Sequence, residues 1–154
     1  MKTLQHLHNE YIKGTTEKEI IILTTTLLCN TTNLVTKAIN LPSSKVYITT
    51  RVVKHLYDSK PAEEYDFIVN NLEKIVRYPD QIYENKGGKR GQFCFLKKIK
   101  DDLYFCSFEV SQMVVSESEV EEVNFVVTAF RIRRPSYLKD YKLLWDRKGG
   151  KSSS

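Results

Sequence analysis

The sequence predicts an α+β domain: N-terminal helices packed on a four-stranded antiparallel meander sheet, closed by a C-terminal helix. Two observations carry this. Up to about Tyr78 the apolar residues recur at helical spacing, and beyond it they gather in short aromatic and β-branched runs. Connections between those runs are too short for crossovers, so strands adjacent in sequence should pair antiparallel. A chain of 154 residues can bury one core. It is read as a single domain over residues 1–148, with an N-terminal helical extension at 1–42, a core at 45–147 and a flexible tail at 149–154.

Thr16 and Glu19 match a capping box, opening a helix toward Ile39 with Ile20, Leu23, Leu27, Leu34 and Ala38 on one stripe. Its threonines lower helix propensity and allow a break near Asn30. Residues 41–44 read as a turn and 45–48 as a short strand. Thr49 or Thr50 caps the next helix, 51–59, in which Val52 and Leu56 share a face. Pro61 is expected as the first residue of a further helix, with Glu63 and Glu64 at its positive end. Tyr65, Ile68, Leu72, Ile75 and Val76 keep the spacing, and Pro79 closes it. Four strands follow, near 80–86, 92–100, 103–110 and 123–132. Their connections are residues 86–91, residues 100–102 and the acidic stretch 116–122. Pro135 opens a last helix with Tyr137, Tyr141, Leu144 and Trp145 inward.

Composition narrows the function. With 24 Lys and Arg against 19 Asp and Glu, the formal charge is +5, and charged residues make up 28%. This describes an ordinary globule rather than a disordered chain. The three cysteines are Cys29, Cys94 and Cys106, with no CxxC pair, so a zinc ribbon or dithiol motif is excluded and a reducing compartment fits. The start has no apolar run of the kind a signal peptide needs, and the stretch 19–30 is too short to span a membrane. A cytoplasmic protein is expected, without membrane association. GxxxxGK[ST] is absent, and no nucleophile elbow is present. His6 and His8 form an H-x-H with no third ligand nearby, so no metal or organic cofactor is expected.

Charge is uneven. Residues 86–100 hold six Lys and Arg and no acid, including Lys89 and Arg90. Residues 131–148 hold seven against Asp140 and Asp146. Interleaved with Tyr83, Phe93, Tyr137 and Tyr141, these segments suit a phosphate backbone. The alternative is that they solvate strand edges. His55 is placed at the fringe of the Val52/Leu56 face, half in and half out, where an imidazole can exchange a proton near neutrality. Thr128 lies in a late strand, with alternation putting Val126, Thr128 and Phe130 on one face. Its hydroxyl can reach a phosphate oxygen, with the guanidinium groups of Arg131, Arg133 and Arg134 next to it. The plain alternatives are a helix-edge histidine and a β-forming threonine.

The run from Thr49 to Lys86, with Lys54-His55 and Pro79-Asp80-Gln81-Ile82-Tyr83, followed by four strands of which the last carries Val126-Val127-Thr128-Ala129-Phe130, resembles the phage-encoded barnase, EndoU, colicin and RelE-like (BECR-fold) nucleases. The resemblance covers about Val46 to Trp145. It implies a metal-independent ribonuclease acting on RNA, tRNA among the candidates, by attack of the 2'-hydroxyl on the neighbouring phosphate. His55 would be general acid or base, Lys54 would stabilise the phosphorane and Thr128 would hold a non-bridging oxygen. Local charge, more than any family motif, adds Arg131, Arg133, Lys89 and Arg90, with Tyr137, as substrate binders, Tyr137 or Lys54 also standing where some members have a second histidine. Two other readings of the same residues are a non-catalytic nucleic-acid-binding module and a phage accessory domain that docks a protein partner.

Overall fold

The structure, a computed structural model, describes residues 3–85 and 92–151. The chain runs α1 (Thr3–Leu7), a π turn (His8–Ile12), β1 (Thr25–Asn30), α2 (Asn33–Ala38), β2 (Lys45–Thr49), α3 (Thr50–Ser59) and α4 (Ala62–Arg77). It continues through β3 (Gln81–Glu84), β4 (Phe93–Ile99), β5 (Asp102–Ser116), β6 (Glu119–Ile132), a 3-10 turn (Pro135–Leu138), β7 (Lys142–Asp146) and the two-residue β8 (Gly150–Lys151). All strands form one mixed sheet in the order β1-β2-β6-β5-β4-β3-β7-β8. The β2–β6 pair is parallel and the others are antiparallel. The expected four-stranded meander is therefore wrong. Strands β3 to β6 do pair in succession, but they are the middle of a sheet twice as wide.

Of the added strands, β2 is the short strand expected at 45–48, whereas β1 and β7 come from segments expected to be helical. The Thr16/Glu19 pair does bond locally, Glu19 Oε1 accepting from the Thr16 N–H at 3.0 Å, yet it closes a turn, with Lys18 at φ 61°. No helix follows until the short α2, beyond the break allowed near Asn30, and Ile20, Ile22 and Leu23 are exposed. The run 20–26, β-branched except at Leu23, favours extended backbone, and β1 takes its ladder from β2. The expected C-terminal helix is likewise absent. After the 3-10 turn, β7 pairs with β3, setting Trp145 opposite Ile82, both buried. Burial against a waiting strand outweighs the weak helical spacing of the segment. The acidic stretch is not a loop either, because β5 and β6 continue through it as a long hairpin turning at 117–118.

One face of the sheet carries the helices. Their core joins Leu4, Leu7 and Ile12 to Ile68, Leu72, Ile75, Phe95, Phe108, Val126 and Trp145. The N-terminal segment thus belongs to the main core, and His8 Nδ1 bonds the Tyr65 hydroxyl at 2.8 Å. The opposite face carries a smaller cluster, Cys94, Leu96 and Phe105, covered by Phe130, Tyr137 and Tyr141. No helix among the described residues is long and apolar enough to cross a membrane.

Candidate active site

Strand β2 passes directly into α3. Thr49 ends the strand, and its hydroxyl accepts the Val52 N–H at 3.3 Å, capping the helix. Thr50, fully buried, donates its hydroxyl to the Ile22 carbonyl at 2.6 Å and its N–H to the Thr24 carbonyl at 2.9 Å. The start of α3 is therefore pinned. Val53 and Leu56 turn into the core, and Arg51, His55 and Ser59, spaced by four, form an outward stripe.

That stripe faces a gap in the sheet. Strand β6 meets β2 only at Asn124 and Phe125. Beyond them its outer edge has no strand partner among the described residues, and α3 and α4 approach it instead. Two cavities open along this seam, and His55 lines both. One, of about 640 Å³, is walled by Arg51, Val52, Glu109, Ser111, Gln112 and Phe125, with Leu23, Thr49, Val126 and Val127 completing it. The other, of about 350 Å³, holds Ser59, Lys60, Val127, Thr128 and Phe130.

A β-bulge shapes the junction. Thr128 pairs with Ser107 and Val126 with Phe108, so Val127 is the extra residue. Strict alternation would leave Val126 and Thr128 on one face. The bulge separates them: Val126 joins the helix-side core with Ala129, and Phe130 packs on the opposite side against Phe105 at 4.6 Å. Ser107, fully buried beside Thr128, has a hydroxyl with no hydrogen-bond partner among the described residues.

The residues singled out from sequence divide accordingly. His55 and Thr128 share a cavity. His55 is exposed rather than half-buried, because its position on the helix lies outside the Val53/Leu56 face. Lys54 points the other way: it is buried, its ammonium donating to Asp58 Oδ1 at 2.7 Å and to the Thr16 carbonyl at 2.6 Å. Consecutive helical residues project about 100° apart, so a Lys-His dipeptide cannot present both groups to one hollow. Arg133 pairs with Glu64, a carboxylate at the start of α4 that also accepts the Arg131 N–H at 3.1 Å. The Arg131 guanidinium lies 3.7 Å from Asp102. Tyr137 packs edge-on against Phe105 and Phe130. Lys89 and Arg90 lie outside the described residues.

Sequence reasoning missed Arg51, Lys60 and Glu109. The i,i+4 spacing of Arg51 and His55 was a usable signal. Glu109 had none, since its place depends on the β5–β6 register, which sets it opposite Phe125. Lys60 Nζ lies 5.5 Å from the centre of the Phe130 ring, a cation-π contact at the mouth of the smaller cavity. Among the described residues no group of three or more His, Cys, Asp or Glu is arranged to hold a metal ion. Comparison of the chain with family models, with curated proteins and with solved structures gives no match in any of the three.

Proposed function

We propose that this seam cleaves RNA at phosphodiester bonds by proton transfer, without a metal ion. One observation carries the reading: His55 stands between a hollow lined by hydroxyls and an ammonium, and a larger one holding a carboxylate, a guanidinium and an aromatic ring. The first has the donors a phosphate needs, the hydroxyls of Ser59 and Thr128 and the ammonium of Lys60. The second offers Phe125 and the Gln112 amide to a nucleobase, and Glu109 supplies the second proton-transfer group, since neither cavity is lined by a second histidine.

In this scheme the Glu109 carboxylate takes the 2'-hydroxyl proton as that oxygen attacks phosphorus. The bond from phosphorus to the 5'-oxygen breaks, and the His55 imidazolium gives its proton to the departing oxygen. The products are a 2',3'-cyclic phosphate and a free 5'-hydroxyl. Arg51 and Lys60 offset the charge that builds on the non-bridging oxygens. A base and an acid that must each be in one protonation state make the rate bell-shaped in pH.

The test is cleavage of total RNA in chelator, with end-group analysis. Wild type should release cyclic-phosphate ends, and H55A and E109Q should each slow cleavage by about 10²–10⁴-fold. RNA left intact by wild type across a broad pH range removes the enzyme reading. Salt-sensitive RNA binding that survives H55A, with no cleavage, would establish a binding module instead.

A further inference from the structure

A third cavity, about 800 Å³, lies away from His55 where the β4–β5 turn meets the end of β7. Five cations line it, Lys97, Lys98, Lys100, Arg147 and Lys148, against two acids. Both acids are already engaged. Asp80 receives Arg147 Nε at 3.0 Å and the Lys98 N–H at 2.8 Å, with Lys97 Nζ at 3.9 Å. Asp146 receives Gln81 Nε2 and the Lys148 N–H, each at 2.8 Å. Lys98, Lys100 and Lys148 are exposed and form no salt bridge among the described residues, although the Lys148 charge helps to hold the Asp146 carboxyl low. Tyr78, half-exposed, adds an aromatic ring to the same wall.

We infer that this hollow is a second nucleic-acid site, holding the phosphate backbone of single-stranded RNA at a distance from the seam; it rests on RNA being the ligand of the His55 site. Unpaired lysines around an aromatic ring are the chemistry of sequence-tolerant single-strand binding, cations tracking phosphates while a base stacks. The fold supplies the alignment. Leu103 lines this hollow and Glu109 lines the larger His55 cavity, and they are six residues apart on β5. An even spacing puts both on the face that bears Phe105, about 20 Å apart along the strand. One strand of RNA passing over the Tyr137 and Tyr141 that cover Phe105 reaches both, whereas a dinucleotide occupies only the seam.

The experiment measures binding of a 2'-O-methyl RNA of about 20 nucleotides, which cannot be cleaved by 2'-hydroxyl attack, as a function of salt. It compares wild type, K98E/K100E/K148E, and the charge-matched control K13E/K18E/K37E, whose lysines are exposed elsewhere. The hollow variant should bind at least about tenfold more weakly, and its slope of log K against log salt should fall by about 2, the share of three phosphates on a single strand. Equal losses in both variants would overturn the site, leaving only net charge. Binding of anionic vesicles or acidic polypeptide in place of RNA would overturn it as well. Because the RNA is uncleavable, a protein that binds here but never cuts RNA defeats the nuclease reading and leaves the hollow standing.

Discussion

Glu64 shows how a single side chain closes an exposed edge. Its carboxylate is nearly buried at the point where β6 has lost its strand neighbour, and it occupies the Arg131 N–H that would otherwise face open solvent. Burial pushes its carboxyl up, but hydrogen bonds from Arg133 and from the Arg131 backbone outweigh that and hold it below the ordinary 4.5. A carboxyl whose folded pKa is depressed stabilises the fold fully above its ordinary value, and that stability is lost as pH falls through the folded value. Thermal melts should therefore show an acid limb below about pH 4.5 that is flattened in E64Q, with a cost at neutral pH of about 1–3 kcal/mol. An unchanged acid limb in E64Q would place that stability elsewhere. Lys54 is the other anchor: its ammonium ties α3 to the Thr16 carbonyl and to Asp58. K54A should lower stability by about 2–3 kcal/mol in denaturant titrations, while the fraction that remains folded cleaves RNA as wild type does. Loss of cleavage in fully folded K54A would return Lys54 to the chemistry.

The helix α3 is where local signals and long-range contacts meet. Its cap and length were legible, because Thr49 or Thr50 and Pro61 act within a few residues of it, but its face was not: the expected pair was Val52 and Leu56, and Val53 and Leu56 are the buried one. Helix α4 was legible for the same reason, its buried stripe being the one that the spacing of Tyr65 to Val76 predicts. The observed helix starts at Ala62, with Pro61 at its N-cap. T49A should cost about 1 kcal/mol and T49S little, with the loss read by chemical denaturation. Since Thr49 lines the same cavity as Arg51 and His55, the T49A loss should be accompanied by slower cleavage. Slower cleavage with unaltered stability would mean that Thr49 touches substrate directly. The bulge at Val127 could not be read, because alternation of side chains carries no mark of an inserted residue, and it reverses where Val126 points.

At the level of the molecule, the cysteines report on the sheet as a whole. All three are buried and free. Desolvation by burial pushes the Cys29 and Cys94 thiols up to about 12 and the Cys106 thiol higher still. The thiolate is the reactive form, so a thiol reagent at pH 8 should label none of them in the native protein and all three in denaturant. Rapid labelling in native buffer would show that the sheet opens there. Segments that interact with their own neighbours were decided by the chain's local order: α3, α4 and the four runs that became β3 to β6. The flanks were not. Whether residues 20–30 and 142–146 coil or extend depends on β2 and β3 offering open edges, and pairing with a distant strand satisfies backbone groups that local propensity leaves undetermined. The same holds for chemistry. His55 and Thr128 could be picked out by residue type, but only the packing of α3 against the β6 edge sets them in one cavity, brings Glu109 to the adjoining cavity that His55 also lines and turns Lys54 inward, because proximity between distant residues is a property of the register and of the helix face, not of spacing along the chain.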